Sequence, residues 1–254
     1  MPSPLPRTAD TGAPVSGPPH SGNRRRDIQG LRAVAVLLVV AFHARLPLPG
    51  GFVGVDVFFV ISGFVITAML QREWLAHGRI RFREFYVRRF KRLTPALALM
   101  VTVTVIASAL LLSPLGAQQT TAQTAIGAML LVANVVIART TGGYFDAPAE
   151  ANPLLNTWSL SVEEQFYLAF PFVLVLGWFL WRRSARARFA PLLIVAAVTL
   201  VSFALSVADA RGYDLPLPMS SVGFYGPLTR AWEFGAGSLE RSCSSSRDRA
   251  PRIP

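Results

Sequence analysis

The chain has one cysteine in 254 residues, Cys243, so no intrachain disulfide can staple it. There are only three histidines, and no metal-ligand spacing stands out. Charge is scarce as well: charged residues make up 15% of the chain and only 14 are acidic, while hydrophobic residues reach 52% and the mean hydropathy is +0.42. That balance excludes an ordinary soluble domain. A net charge of +11 could suit nucleic acid, but the basic residues are almost all arginines lying between apolar segments, without the aromatic interleaving of a nucleic-acid surface. Charge placed this way flanks membrane spans.

What is present is a series of apolar stretches separated by arginines. Residues 1–25, rich in Pro, Gly, Ser and Thr, cannot bury enough surface to order themselves and are expected to be a disordered cytoplasmic tail. Arg24, Arg25 and Arg26 before the apolar run 33–42 could begin a signal peptide. Against that, Arg32 and His43 bracket the run, no clean A-x-A site follows, and the later apolar segments make sense only if it stays as an anchor. Residues 51–70 and 93–112 are each about long enough to cross a hydrocarbon core of ~30 Å. The densest basic stretch of the chain, 72–92, separates them and belongs in the cytoplasm by the positive-inside rule. A second cluster, Arg182, Arg183, Arg186 and Arg188, belongs there too, ahead of the apolar stretch 189–207.

Parity then requires that either 124–138 or 166–181 does not cross. The shorter stretch, 124–138, contains Asn134 and is expected to be re-entrant or partly inserted. The fold class is therefore all-α: a polytopic integral-membrane helix bundle with five spans from six apolar stretches, the N-terminus cytoplasmic. Residues 225–237 enter another helix, which is expected to stop at Gly237. The remainder, 238–254, reads as a polar tail left by truncation or by a change of reading frame.

A few polar residues inside these segments could carry chemistry. Arg32 and His43 are eleven positions apart, on nearly one helical face and about 16 Å apart along the axis. Either they mark a polar path, as intramembrane ionisable residues usually do, or they mark the two ends of a helix. Asp56, early in the second segment, needs a cationic or hydrogen-bonding partner, and His43 is the nearest by topology. It could instead cap a helix after Gly54. Gly50, Gly51, Gly54 and Gly63 permit a tight turn and close helix approach.

Arg88, Arg89, Lys91 and Arg92 sit at the mouth of the third span, and Arg89 and Arg92, three apart, can address one phosphate-rich ligand such as coenzyme A. Topology-setting charge is the alternative. Glu163 and Glu164 stand at the threshold of an apolar helix. Ser161 and Glu164 match a capping box, which leaves Glu163 free to bind a polyhydroxyl acceptor or sense the histidine.

Four motifs stand out together: Arg26-Asp27-Ile28-Gln29-Gly30-Leu31-Arg32, the Arg32-x10-His43 pair, Gly51-Phe52-Val53-Gly54-Val55-Asp56 running on to Gly63-Phe64, and Asn156-Thr157-Trp158-Ser159-Leu160-Ser161-Val162-Glu163-Glu164-Gln165-Phe166-Tyr167. Taken together they resemble the acyltransferase 3 family of membrane acyltransferases, which includes O-antigen O-acetyltransferases. The likeness runs from 26 to 237, a partial acyltransferase domain. It implies a domain of about ten helices that moves an acyl group, commonly acetyl from cytoplasmic acetyl-CoA, onto a hydroxyl of an extracytoplasmic glycan. No permanently bound cofactor and no nucleic acid are implied. By the same resemblance His43 is the catalytic base and Arg32 the other half of its motif. Asp56 is then a functional carboxylate, Arg89 and Arg92 form a cytoplasmic donor-binding pair, and Glu163 and Glu164 are the acidic pair of the Trp-Ser-Leu motif. Residues from Phe224-Tyr225 to Arg230-Ala231-Trp232-Glu233-Phe234 are similar to a subgroup that carries a fused extracytoplasmic domain. A transporter or flippase, and an inactive remnant of a longer enzyme, are the competing readings.

Overall fold

A computed structural model of the chain describes residues 26–47, 50–140, 149–183, 189–218 and 220–248, apart from the side chains of 183 and 245–248. The expected tail 1–25 and two arginines of the second cluster, Arg186 and Arg188, lie outside them. Among the described residues there are eight α-helices, one short 3-10 turn at Ala149–Ala151, and no strand. The helices are α1 (Arg26–His43), α2 (Val53–His77), α3 (Phe82–Leu111), α4 (Ala117–Met129), α5 (Ala133–Thr140), α6 (Thr157–Arg183), α7 (Ala190–Ala210) and α8 (Pro227–Asp248).

Four of these, α2, α3, α6 and α7, are long and apolar enough to cross a membrane. Their outer faces are open and greasy, with Leu99, Leu110 and Leu200 exposed by 68%, 79% and 68%. Such faces belong against lipid tails rather than water. The sequence led us to expect five full spans. The fifth, α1, is not among these four because its first two turns carry Arg26, Asp27, Gln29 and Arg32, which shortens its apolar part. It packs closely along α2. A Cβ on Gly54 would come within 2.6 Å of the Ala35 carbonyl oxygen and 2.7 Å of Val39 Cγ2, so only glycine lets these two backbones approach so closely.

α8 packs between α2 and α7. At its crossing with α2, a Cβ on Gly63 would overlap the backbone of Phe234. The helix does not stop at Gly237 as expected. Ser238 is fully buried and accepts a 2.9 Å hydrogen bond from the Thr67 hydroxyl, and Gln71 reaches Ser242 one turn further on. Polar residues continue the helix because α2 offers polar partners opposite them.

Two further expectations change. α3 starts at Phe82, not near 93, so Arg88 to Arg92 lie within the helix rather than at its mouth. Arginine is a good helix former and nothing between 82 and 92 breaks the pattern. The stretch 124–138 is broken at Leu130 and Leu131. Leu131 takes a left-handed φ of 60°, while Val132 N–H donates to the Gly127 carbonyl and Leu131 N–H to the Ala128 carbonyl. This is the Schellman closure of a helix, made here with leucine in the position that glycine usually takes. With 13 and 8 residues, α4 and α5 extend about 20 and 12 Å, so neither crosses alone.

Candidate functional site

The end of the bundle where α1 stops and α2, α6 and α8 begin encloses a cavity of about 1320 Å3. His43 and Asp56 both line it, one from the last residue of α1 and the other from the first turn of α2. Trp158, Phe224, Tyr225 and Arg230 line it as well.

His43 is exposed, and its Nδ1 lies 2.8 Å from the Val39 carbonyl oxygen. A carbonyl only accepts, so Nδ1 carries a proton, and in the neutral ring the Nε2 lone pair is left for another partner. The Phe42 ring meets the imidazole edge-on, with centroids 5.5 Å apart. Asp56 does not orient His43, contrary to expectation. Its Oδ1 accepts from Arg230 Nη1 at 2.7 Å, a pairing across 174 positions. The same Nη1 donates to Glu233 Oε1 at 3.0 Å, and Arg230 Nε donates to the Phe224 carbonyl at 3.2 Å. A guanidinium one helical turn inside α8 competes better for a carboxylate than an imidazole whose proton is already committed. Glu233 is fully buried, and its Oε2 has no hydrogen-bond partner among the described residues. The sequence reading named Arg230 and Glu233 only within the stretch similar to a subgroup and gave neither a place in the site. The available signal was an arginine and a glutamate three apart within an otherwise apolar helix entry.

Tyr225, in the connection ahead of α8, also faces this cavity. Burial, and after it the Glu150 carboxylate, pushes its phenol above the ordinary tyrosine range, so the hydroxyl keeps its proton. Asn152, buried beside it in the lining, donates to the Thr124 hydroxyl at 2.7 Å and accepts from Leu154 N–H at 3.0 Å. These bonds tie the connection ahead of α6 to α4.

The two glutamates of α6 turn to different partners. Glu164 forms a forked pair with Arg89 of α3, at 2.8 Å from Nη2 and 3.3 Å from Nε. Glu163 accepts from the hydroxyls of Ser62 on α2 and Tyr167 on α6. The Arg89 guanidinium lies 3.2 Å from the Tyr167 ring centroid, which joins both glutamates into one network. The capping box expected at Ser161 and Glu164 does not form. α6 starts four residues earlier at Thr157, and Ser161 Oγ, buried, accepts from Ala133 N–H at the start of α5. Gln165 donates to the Leu131 carbonyl at 2.9 Å and to Asn134 Oδ1 at 2.8 Å. α6 therefore satisfies the backbone groups that the α4–α5 break exposes.

Beside that break, between α3 and α6, is a second cavity of about 510 Å3, lined largely by apolar residues such as Phe90, Leu93 and Leu130, with Arg89, Glu164 and Gln165 among them. Ring contacts through Phe59 and Phe234 connect Trp158 in the wall of the first cavity to Tyr167 in the wall of the second. The remaining expected site residues, Arg32 and Arg92, line neither cavity. Arg32 is half-buried on α1 with Nε lacking a hydrogen-bond partner among the described residues, and Arg92 is exposed on α3. No group of histidine, cysteine or carboxylate side chains able to hold a metal occurs among the described residues.

Residues 25–237 match the family model described as an acyltransferase domain. The chain is 35% identical over 212 residues to the peptidoglycan O-acetyltransferase OatA of Listeria monocytogenes, an alignment covering 83% of this chain and 32% of that one. It is 38% identical over 174 residues to the O-acetyltransferase OatA of Staphylococcus aureus, covering 68% and 28%. The Bacillus subtilis protein YrhL is 36% identical over 211 residues, again 83% and 32%. The chain thus spans about a third of the length of the curated relatives it matches. No solved structure matches it.

Proposed function

Because the chain belongs to the acyltransferase family whose model covers residues 25–237, we propose that it is a multi-pass membrane O-acyltransferase working at the His43 cavity. The observation that carries this reading is the imidazole at the cavity edge with Nδ1 engaged by the Val39 carbonyl and Nε2 left as a base. An acceptor hydroxyl in the cavity gives its proton to Nε2 as its oxygen attacks the thioester carbonyl. The tetrahedral adduct collapses, the C–S bond breaks, and the imidazolium returns the proton to the departing thiolate.

The donor is an acyl-CoA, most simply acetyl-CoA, approaching from the cytoplasmic face. Arg92, exposed on α3, and its basic neighbours can meet the donor's phosphates. Arg89 serves the donor differently from the simple pair read in the sequence: already committed to Glu164, it shapes the second cavity, whose apolar lining suits a thioester arm. The acceptor is a hydroxyl of a cell-envelope glycan, a class suggested by relatives named for peptidoglycan. The arginine bias of the connecting segments supports an N-terminus in the cytoplasm of a plasma membrane and a His43 cavity on the outer side.

The test is label transfer. Membranes containing the protein, given acetyl-labelled acetyl-CoA, are expected to place label on glycan. A transporter would move substrate without acylating it, so unlabelled glycan under saturating donor contradicts the proposal.

A further inference from the structure

Part of the lining that the first cavity shares with His43 has the composition of a carbohydrate subsite. Three aromatic rings pack against one another there, with centroids 5.1 Å apart for Trp158 and Phe224, 5.5 Å for Trp158 and Tyr225, and 5.0 Å for Phe224 and Tyr225. Trp158 is buried, whereas Phe224 is 53% exposed and offers a ring to whatever fills the space. The Arg230 guanidinium carbon sits 4.8 Å from the Phe224 centroid and 5.7 Å from that of Trp158. Two carboxylates and a carbonyl fix this guanidinium in place, so it presents its remaining N–H donors in one orientation. Asp56 uses only Oδ1 in that pairing, and its side chain is 29% exposed in the cavity wall.

Charge decides what such a wall can hold. The lining carries Arg45 and Arg230 against Asp56 and Glu150, and Glu233 lies behind Arg230. No excess positive charge remains for a phosphate or pyrophosphate. The volume of about 1320 Å3 exceeds the roughly 300–1000 Å3 of ordinary small-molecule sites, leaving room for more than one sugar ring.

We propose that Phe224, backed by the buried Trp158, and the Asp56–Arg230 pair hold an uncharged, multiply hydroxylated sugar ring, making Phe224 a specificity-determining residue for the acceptor. An exposed aromatic face takes the C–H face of the ring, while a carboxylate and a fixed guanidinium take adjacent hydroxyls. This rests on the reading of the cavity as the acceptor side of acyl transfer.

The experiment is a titration of the full chain in nanodiscs with chitotetraose, a neutral oligosaccharide, followed by saturation-transfer NMR without any acyl donor. The native protein is expected to bind. Phe224→Ala should weaken binding about five- to tenfold, and Phe224→Tyr should restore it. Inorganic pyrophosphate should not compete. Absence of binding by the native protein, equal binding by Phe224→Ala, failure of Phe224→Tyr to restore binding, or displacement by pyrophosphate would each overturn the subsite. Since no donor is present, such a result leaves the label-transfer test standing. A negative label-transfer result, conversely, does not alter the binding measurement.

Discussion

Arg230 is the side chain on which most of the first cavity depends, because it is the cation that offsets both Asp56 and the fully buried Glu233. Removing one partner of a buried charge cluster strands the rest, at a cost of about 3–5 kcal/mol. Arg230→Ala is therefore expected to lower the thermal stability of the purified protein sharply, while Arg230→Met combined with Glu233→Gln recovers part of the loss. Glu233→Gln alone should be mild, since Oε2 has no partner to lose. Unchanged melting of Arg230→Ala would contradict this electrostatic account. None of it was legible beforehand. A costly carboxylate at Asp56 predicts a partner, but nothing in the order of residues says that the partner lies 174 positions away rather than on the neighbouring helix. His43 and Asp56 were legible as neighbours of one space because they occupy the end of one helix and the start of the next, joined by a short connection.

At the scale of elements, the α4–α5 break is held open by α6. The peptide groups freed at the break find Ser161 and Gln165, and Asn134 donates in turn to the Tyr225 carbonyl. Gln165→Leu would leave the Leu131 carbonyl and Asn134 Oδ1 without that donor, a loss of about 1–3 kcal/mol. Amide exchange at 131–134 should accelerate in this variant. Protection equal to that of the native chain would show that the break does not rely on α6. The crossing of α2 and α8 makes a similar demand. Gly63→Ala places a methyl group against the Phe234 backbone, and a destabilisation of about 1–3 kcal/mol is expected by thermal unfolding. That 124–138 would not form a simple span was readable from its length and from Asn134. The position of the break was not, because leucine gives no hint of a left-handed φ. Apolarity also misled at α8: a helix that turns polar after Gly237 looks finished until Thr67 and Gln71 are seen opposite its serines.

At the scale of the molecule, the two ends of the bundle are chemically distinct. His43, Asp56, Trp158 and Arg230 gather at one end. The start of α3 and the last turns of α2 and α6 meet at the other, where Trp74 stacks on Trp178 at 5.2 Å and Phe82 on Phe172 at 4.9 Å. The single cysteine, exposed on the last turns of α8, belongs to that second end and gives a native probe of orientation. A membrane-impermeant maleimide should modify Cys243 in inverted vesicles and not in intact cells. Labelling of intact cells would reverse the assignment of faces. Composition made the helical, membrane-embedded class plain, because 52% hydrophobic residues leave few other solvents for the chain. Composition said less about α1, whose charged first turns leave a short apolar part that packs closely on α2. The central claim is that the His43 cavity performs base-assisted acyl transfer, and it is tested most directly by comparing native and His43→Ala protein in membranes supplied with labelled acetyl-CoA. The account predicts equal membrane insertion and a fall in label transfer to glycan of about a hundredfold or more; near-native transfer by His43→Ala would contradict it.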